Sequence, residues 1–177
     1  IKTERLHLRC PREANGPQLF AAIAASRAAL RPWFAWADDL NLTAENCSFT
    51  AALARERFLS GKEMQFYIFA HGHKKLLGIC GLLRPDWANR SFEICYWLRT
   101  SSTGHGYMTE AVSAVTEFAL QDLAAKRIEA RCDVANEKGM AVAERAGYIL
   151  EEKVLSDTPH HIHRQHTEIA VFLRVAR

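Results

Sequence analysis

The sequence predicts an α/β (α+β) fold: a mixed, mostly antiparallel sheet of about seven strands with a central parallel pair, flanked by helices. Three observations carry that expectation. Apolar periodicity orders the chain as strand, helices, three strands, helix, strand, helix and two strands. The unit from "SFEICYWL" through a helix to "KRIEARCDV" needs a parallel pairing, because a crossover helix returns the chain in the same direction. Short polar turns elsewhere join neighbouring strands as antiparallel hairpins. No repeat or linker interrupts the order, so residues 1–177 read as a single domain.

"IKTERLHLRCP" alternates Leu6, Leu8 and Cys10 with charged or polar neighbours, and Pro11 ends that strand. After "REANGP" an alanine-rich helix is expected from about Gln18 to Leu30, followed by the connection "RPWFAWADDLN". Thr43, with Asn46 three residues on, caps the next helix, which runs through Phe58 to Ser60-Gly61. "MQFYIFAHGHKKLLGICGLLRP" gives two strands with a hairpin at His71–Lys74. In "SFEICYWL", Phe92, Ile94, Tyr96 and Leu98 alternate with Glu93, Cys95 and Trp97. From Tyr107 onward Met108, Ala111, Val112, Val115, Phe118 and Ala119 share one face of a helix. "NEKGMAVAERAGY" is a short helix closed near Gly147, and "ILEEKVLS" and "TEIAVFLRV" are the last strands.

Two glycines at the threshold of a helix pose the functional question. In "TGHGYMTEAV", Gly104 and Gly106 cost conformational entropy, so the chain needs either a tight turn or a bare backbone there. Helix-start amides with no side chains around them form an anion site suited to phosphate. No Gly-Lys-Ser/Thr of a nucleotide P-loop follows, and Thr109 comes where a dinucleotide fingerprint has its third glycine. By itself the loop fits a plain turn as well as a phosphate cradle.

Hydrophobic residues make up 49% of the chain and charged residues 24%, the balance of a globular domain with an ample core. A net charge of +3 argues for neither nucleic acid nor membrane, and no arginine-rich stripe or stacking-aromatic motif suggests RNA. No apolar run approaches the roughly 20 residues of a membrane span, and "LFAAIAASRAAL" is broken by Arg27 and lacks a basic start. The cysteines Cys10, Cys47, Cys80, Cys95 and Cys132 form no Cys-x-x-Cys pair, so reduced, buried thiols in a cytoplasmic protein are expected. "TPHHIHRQH" gathers His160, His161, His163 and His166, but without a cysteine or spaced carboxylates no metal is expected.

The stretches "TERLHLR", "RPWFAWADDL", "FEICYWL", "TGHGYMTEAV" and "NEKGMAVAERAGYILE", in this order and spacing, resemble the GNAT superfamily of N-acetyltransferases. The likeness is closest to the bacterial branch that acetylates the N-termini of ribosomal proteins, and it extends to "EIAVFLR" near the end of the chain. It implies a GNAT-like fold with acetyl-CoA as co-substrate. The pyrophosphate would rest on Thr103, Gly104, His105, Gly106, Tyr107, Met108 and Thr109. The pantetheine arm would run along Tyr96, Trp97 and Leu98, where an amide, assigned to Tyr96, serves as oxyanion donor to the thioester carbonyl. Asn136, opening the next helix, is the further cofactor contact that the resemblance implies. The implied reaction is direct attack of a primary amine in a ternary complex. The implied acceptor is the N-terminal α-amine of a protein such as a ribosomal protein, handled by a monomer or homodimer without direct nucleic acid or membrane contact.

The chain departs from that pattern in ways that bear on chemistry. Thr103 replaces a Gln or Arg at the start of the phosphate motif, and Met108, at home in the ribosomal branch, replaces a Gly or Ala at its end. The family's thiolate-protonating tyrosine is Ala143 here, and a serine of the ribosomal branch is Gly139. A thiol with a pKa near 8.5 leaves tolerably without an acid, so the amine is the larger problem. An α-amine titrates about 2.5 units below a lysine, worth about 3.4 kcal/mol, so a site poor in bases suits an α-amine. Glu93 is the candidate base, directly or through water, with an ion-paired strand residue as the other reading. His105 touches phosphate or faces solvent, and Cys95, with no histidine placed to activate it, reads as packing. Trp33 and Trp36 line the acceptor groove or pack the core, and the segment His160–His166 borders that groove. Two rival readings stand beside this one: an acetyltransferase of small amines, and an acyl-CoA-binding protein impaired in catalysis.

Overall fold

The computed structural model describes residues 1–39 and 42–176; Leu40 and Asn41, at the end of the Trp-containing connection, and Arg177 lie outside the described residues. Seven strands form one sheet: β1 (Leu6–Arg9), β2 (Met64–Ala70), β3 (Leu76–Asp86), β4 (Ser91–Leu98), β5 (Arg127–Asp133), β6 (Ile149–Leu155) and β7 (Glu168–Val175). Their spatial order is β1-β2-β3-β4-β5-β7-β6. Every neighbouring pair is antiparallel except β4–β5, which is parallel and central. This is the mixed sheet that the order of elements predicts.

Alternation along the strands loads both faces of the sheet. Phe92, Ile94, Ile128, Ala130 and Phe172 share one core with Ala111, Val112, Val115 and Ala119 of α4 (Tyr107–Gln121) and Ala143 of α5 (Glu137–Arg145). The second core holds Tyr67, Phe69, Ile79 and Trp97. It is closed by Leu19 and Ile23 of α1 (Gly16–Ala24), Leu30 of α2 (Arg27–Leu30) and Ala51 of α3 (Ala44–Leu59). The predicted cap of α3 is formed, with Thr43 Oγ1 accepting the Asn46 amide at 3.1 Å. Among the described residues no helix is long and apolar enough to cross a membrane.

The single helix expected from Gln18 to Leu30 is instead two. α1 stops at Ala24, and Ser26, with φ −126° and ψ 5°, breaks the run before α2. Alanine-rich propensity favours continuing, but Ser26 is buried and its Oγ accepts the Thr100 amide at 3.0 Å. A partner supplied by a distant loop overrides the local preference. Because Thr100 begins the segment leading to Gly104, the break also ties the α1–α2 corner to the glycine loop. Replacing Ser26→Ala should leave the Thr100 amide without its acceptor and cost about 1–3 kcal/mol. The check is a lower urea midpoint at unchanged slope.

Candidate active site

β4 and β5 pair from Ser91–Arg127 to Ile94–Ala130 and no further. Beyond that point β4 continues to Leu98 against β3, and β5 to Asp133 against β7, so a notch opens between them. The Arg99 amide donates to the Leu77 carbonyl of β3 at 2.6 Å. Strand alternation therefore turns the Trp97 amide towards β3 and the amides of Tyr96 and Leu98 into the notch. A cavity of about 1550 Å³ is lined from both sides of it, by Cys95–Leu98 and by Arg131–Asp133. That is roomier than the roughly 300–1,000 Å³ of a site for one small ligand.

Gly104 and Gly106 have φ of +82° and +76°, a conformation that demands glycine. A Cβ on Gly104 would meet nothing within 4 Å, so the loop is open on that side. Gly106 precedes α4 with no side-chain cap, which leaves the amides of Tyr107, Met108 and Thr109 without an intrahelical acceptor. Bare amides at the positive end of a helix dipole make an anion site. The loop thus fits a pyrophosphate.

The N-terminal segment holds this loop in place. Glu110, in the first turn of α4, accepts from Thr3 Oγ1 at 2.5 Å, the Arg5 amide at 3.0 Å and Arg5 Nε at 2.6 Å. Arg5 Nη1 donates to the His105 carbonyl at 2.9 Å, and its guanidinium lies 4.9 Å from the centre of the Tyr107 ring. Burial pushes the Glu110 carboxyl up, but the bonds from Thr3 and Arg5 outweigh it and hold the group below the ordinary glutamate range. Sequence reasoning missed Thr3 and Arg5 as site residues. The available signal was a first-turn glutamate, which names a helix start but not its partner.

Tyr96, Trp97, Leu98, Thr103, Gly104, Gly106, Tyr107, Met108, Thr109 and Asn136 all line the cavity. Glu93 and His105 are not among its lining. Glu93 lies one step back on the strand face of Cys95 and Trp97, and its carboxylate accepts from Arg84 Nη1 at 2.7 Å. His105 offers its carbonyl to Arg5 and leans its ring towards Tyr107, with centroids 5.7 Å apart. The Tyr96 hydroxyl donates to the Gly139 carbonyl at 2.9 Å and lies 3.7 Å from Cys132 Sγ. Burial, reinforced by Cys132, pushes that phenol up. Burial, with Glu93 next, pushes the Cys95 thiol up to about 12, so it packs as a neutral thiol.

Asn136 caps α5, its Oδ1 accepting the Gly139 amide at 3.0 Å. A Cβ on Gly139 would sit 2.8 Å from Asn136 Nδ2, so the absence of a side chain at 139 and the Asn136 rotamer belong together. Ala143 is fully buried under the sheet and outside the lining, so no polar group from that position reaches the notch. At the outer end of the cavity Pro32, Trp33 and Phe34 face the loop after β6 through Ser156, Thr158, Pro159, His160 and His161. Trp36 instead stacks on Phe34, with ring centres 5.1 Å apart, and leans on Trp97. Among the described residues, no group of three or more His, Cys, Asp or Glu side chains could hold a metal ion.

The sequence profile described as "Acetyltransferase (GNAT) domain" matches residues 5–149. The chain is 36% identical over 78 residues to a putative ribosomal N-acetyltransferase, YdaF, of Bacillus subtilis, covering 44% of this chain and 43% of that protein. It is 33% identical over 91 residues to the ribosomal-protein-serine acetyltransferase of Escherichia coli, covering 51% and 50%. The matched stretches thus span about half the length of these curated relatives. Among solved structures, the microcin C7 self-immunity acetyltransferase MccE, in complex with acetyl-CoA and AMP, has a TM-score of 0.87 at 21% identity, covering 98% of this chain and 94% of that one. RimL, a ribosomal α-N-protein acetyltransferase in complex with coenzyme A, has a TM-score of 0.86 at 21% identity, covering 98% and 95%. At such identities these two structures establish a shared fold.

The Glu110 tether generates a pH prediction. A carboxyl whose folded-state pKa is depressed contributes stability that is fully present above the unfolded value of about 4.3 and is lost as pH falls through the folded value. Wild type should therefore exceed Glu110→Gln in urea midpoint at pH 6, with the gap closing as pH falls from 4.3 towards 3. A gap independent of pH over that range would show that the ionised carboxylate does not secure the loop.

Proposed function

The chain belongs to the GNAT acetyltransferase family, and from that premise we propose that it transfers the acetyl group of acetyl-CoA to the N-terminal α-amine of a protein, such as a ribosomal protein. One observation carries the reading: an uncapped helix start behind two positive-φ glycines opens onto the notch where β4 and β5 part. In this reading the amides from Gly104 to Thr109 hold the pyrophosphate, with Thr103 beside them and the His105 backbone kept in register by Arg5. The pantetheine arm lies along Tyr96, Trp97 and Leu98 as a substitute strand in the notch. The Tyr96 and Leu98 amides then face the oxygen on which charge develops. Asn136 keeps its Nδ2 available to the cofactor, because only its Oδ1 is used by the cap.

The acceptor enters from the outer end, between Trp33 and the loop after β6. The amine nitrogen bonds to the thioester carbon, the carbon–sulfur bond breaks, and the sulfur departs as a thiolate. Burial favours the protonated forms of Cys95, Tyr96 and Cys132, so none of them is a base at the notch, and the Asp133 carboxylate that also lines it accepts the Ala135 amide. An amine that is already substantially neutral near pH 7 is therefore favoured, which supports an α-amine of pKa about 7.7–8.0 over a lysine near 10.4. Glu93 receives the amine proton through water, because Arg84 and the strand geometry keep its carboxylate out of direct contact.

Thiol release from acetyl-CoA with peptides bearing a free N-terminus should exceed that with N-blocked, lysine-containing peptides at pH 7. Gly106→Val should keep a native circular dichroism spectrum yet lose coenzyme A binding in calorimetric titration. Wild-type affinity in the folded variant would sink the assignment of the loop.

Glu93→Gln should lower turnover by about 10²-fold with little change in coenzyme A affinity, and the loss should be partly recovered at high pH, where more α-amine is neutral. A pH–rate profile at saturating acetyl-CoA decides this. Near-normal turnover of the variant at pH 7 would reassign Glu93 to its ion pair alone.

A further inference from the structure

The loop between β6 and β7, residues 156–167, closes over the outer end of the cavity, and histidines latch it to the exit of α2. His160 Nε2 lies 2.7 Å from the Pro32 carbonyl, and His161 Nε2 lies 2.7 Å from the Arg31 carbonyl. A carbonyl can only accept, so both Nε2 atoms carry protons. The other ring nitrogen of His160 is also occupied. Its Nδ1 receives the Ile162 amide at 3.2 Å and, more weakly, the His163 amide at 3.5 Å. An amide N–H can only donate, so Nδ1 must be bare. The closed loop therefore admits His160 in one form, the neutral Nε2–H tautomer. A second proton would set an N–H against an N–H and break the turn that aims the ring at Pro32.

Aromatic rings and charged groups of both signs surround the ring. The His160 ring stacks on those of His161 and His163, with centroids 4.6 Å and 4.9 Å apart. Arg164 donates its amide to the His160 carbonyl at 2.8 Å. From the α2 side come Arg31 and its partner Asp38, paired at 3.2 Å, and Arg131 and Asp133 of β5 line the same cavity.

We propose that His160 is a positioning residue for the acceptor: its neutral ring latches the β6–β7 loop onto Pro32, shaping the acceptor end of the cavity, and its protonation releases the latch. The proposal rests on the N-acetyltransferase reading above. It predicts a dependence of acceptor binding on pH that belongs to the enzyme and adds to the ionisation of the amine itself.

The test compares wild type with His160→Gln, whose amide can donate to the Pro32 carbonyl but does not titrate. KM for a peptide with a free N-terminus is measured at saturating acetyl-CoA from pH 8.5 to 5.5. The ionisation of the peptide is common to both proteins and cancels in the ratio of their KM values. At pH 8.5 the two should be similar. At pH 5.5 the wild-type KM should be several-fold the higher, with kcat and acetyl-CoA affinity unchanged. His160→Leu, which has no donor, should show a raised acceptor KM at every pH. A ratio of wild type to His160→Gln that does not vary with pH overturns the proposal. Nitrogen-15 spectra of the imidazoles in the free protein at pH 8.5 give a readout independent of turnover. The expected His160 signal is Nε2 protonated and Nδ1 bare, and a ring protonated at Nδ1 overturns the latch. If the folded protein acetylates no amine at all, the activity reading fails, and these spectra alone decide the latch.

Discussion

The site depends on where one ladder of hydrogen bonds ends. β4 and β5 are the parallel pair of the sheet, and their pairing stops at Ile94–Ala130 while both strands continue. A parallel pair needs a crossover, and α4 supplies it, so the start of that helix necessarily lies at the end of β4 where the strands part. Strand twist keeps the two chains from meeting again, and each finds its further partner on its outer side, β3 for one and β7 for the other. What remains is a slot with unpaired strand amides on one wall and an uncapped helix start at its mouth. A ligand that is extended at one end and anionic at the other is the chemistry such a slot can satisfy.

Holding that geometry requires a long-range electrostatic brace. A helix start that presents bare amides gives up the stabilisation of an N-cap side chain, and the positive-φ glycines before it add conformational cost. Glu110 compensates from inside the first turn, where a carboxylate suits the dipole, and anchors the helix to Thr3 and Arg5. Arg5 then reaches back to the His105 carbonyl, so a single guanidinium fixes both the helix and the loop before it. The N-terminal strand therefore serves the site without lining it.

The residues at and behind the notch are, in this chain, engaged in structural contacts. Tyr96 spends its hydroxyl on the Gly139 carbonyl, Ala143 is core, and Glu93 is paired with Arg84. Gly139 lets Asn136 keep the rotamer that caps α5. The notch thus offers backbone donors, and the proposed reaction would draw on them with a substrate pair that brings its own reactivity, an activated thioester and an amine of modest basicity.

Local patterns in the sequence were sufficient for the sheet and for the glycine turn that opens α4. The alternation of Phe92, Ile94 and Tyr96 with Glu93, Cys95 and Trp97 assigns each residue of β4 to a face, and the 3.6-residue period from Tyr107 sets the start of α4 just after Gly106. The Thr43 cap was legible for the same reason, because donor and acceptor lie three residues apart. What the sequence could not specify is any contact whose partner is far along the chain. Ser26 breaks an alanine-rich helix because it meets Thr100, Glu110 acquires its meaning from Arg5, and His160 from Pro32. In each case the residue type allows several partners, and only the folded chain selects one. Periodicity encodes which way a side chain points, since that depends on neighbours a few residues away. Which group it meets depends on how the sheet closes, and that is decided by the tertiary structure.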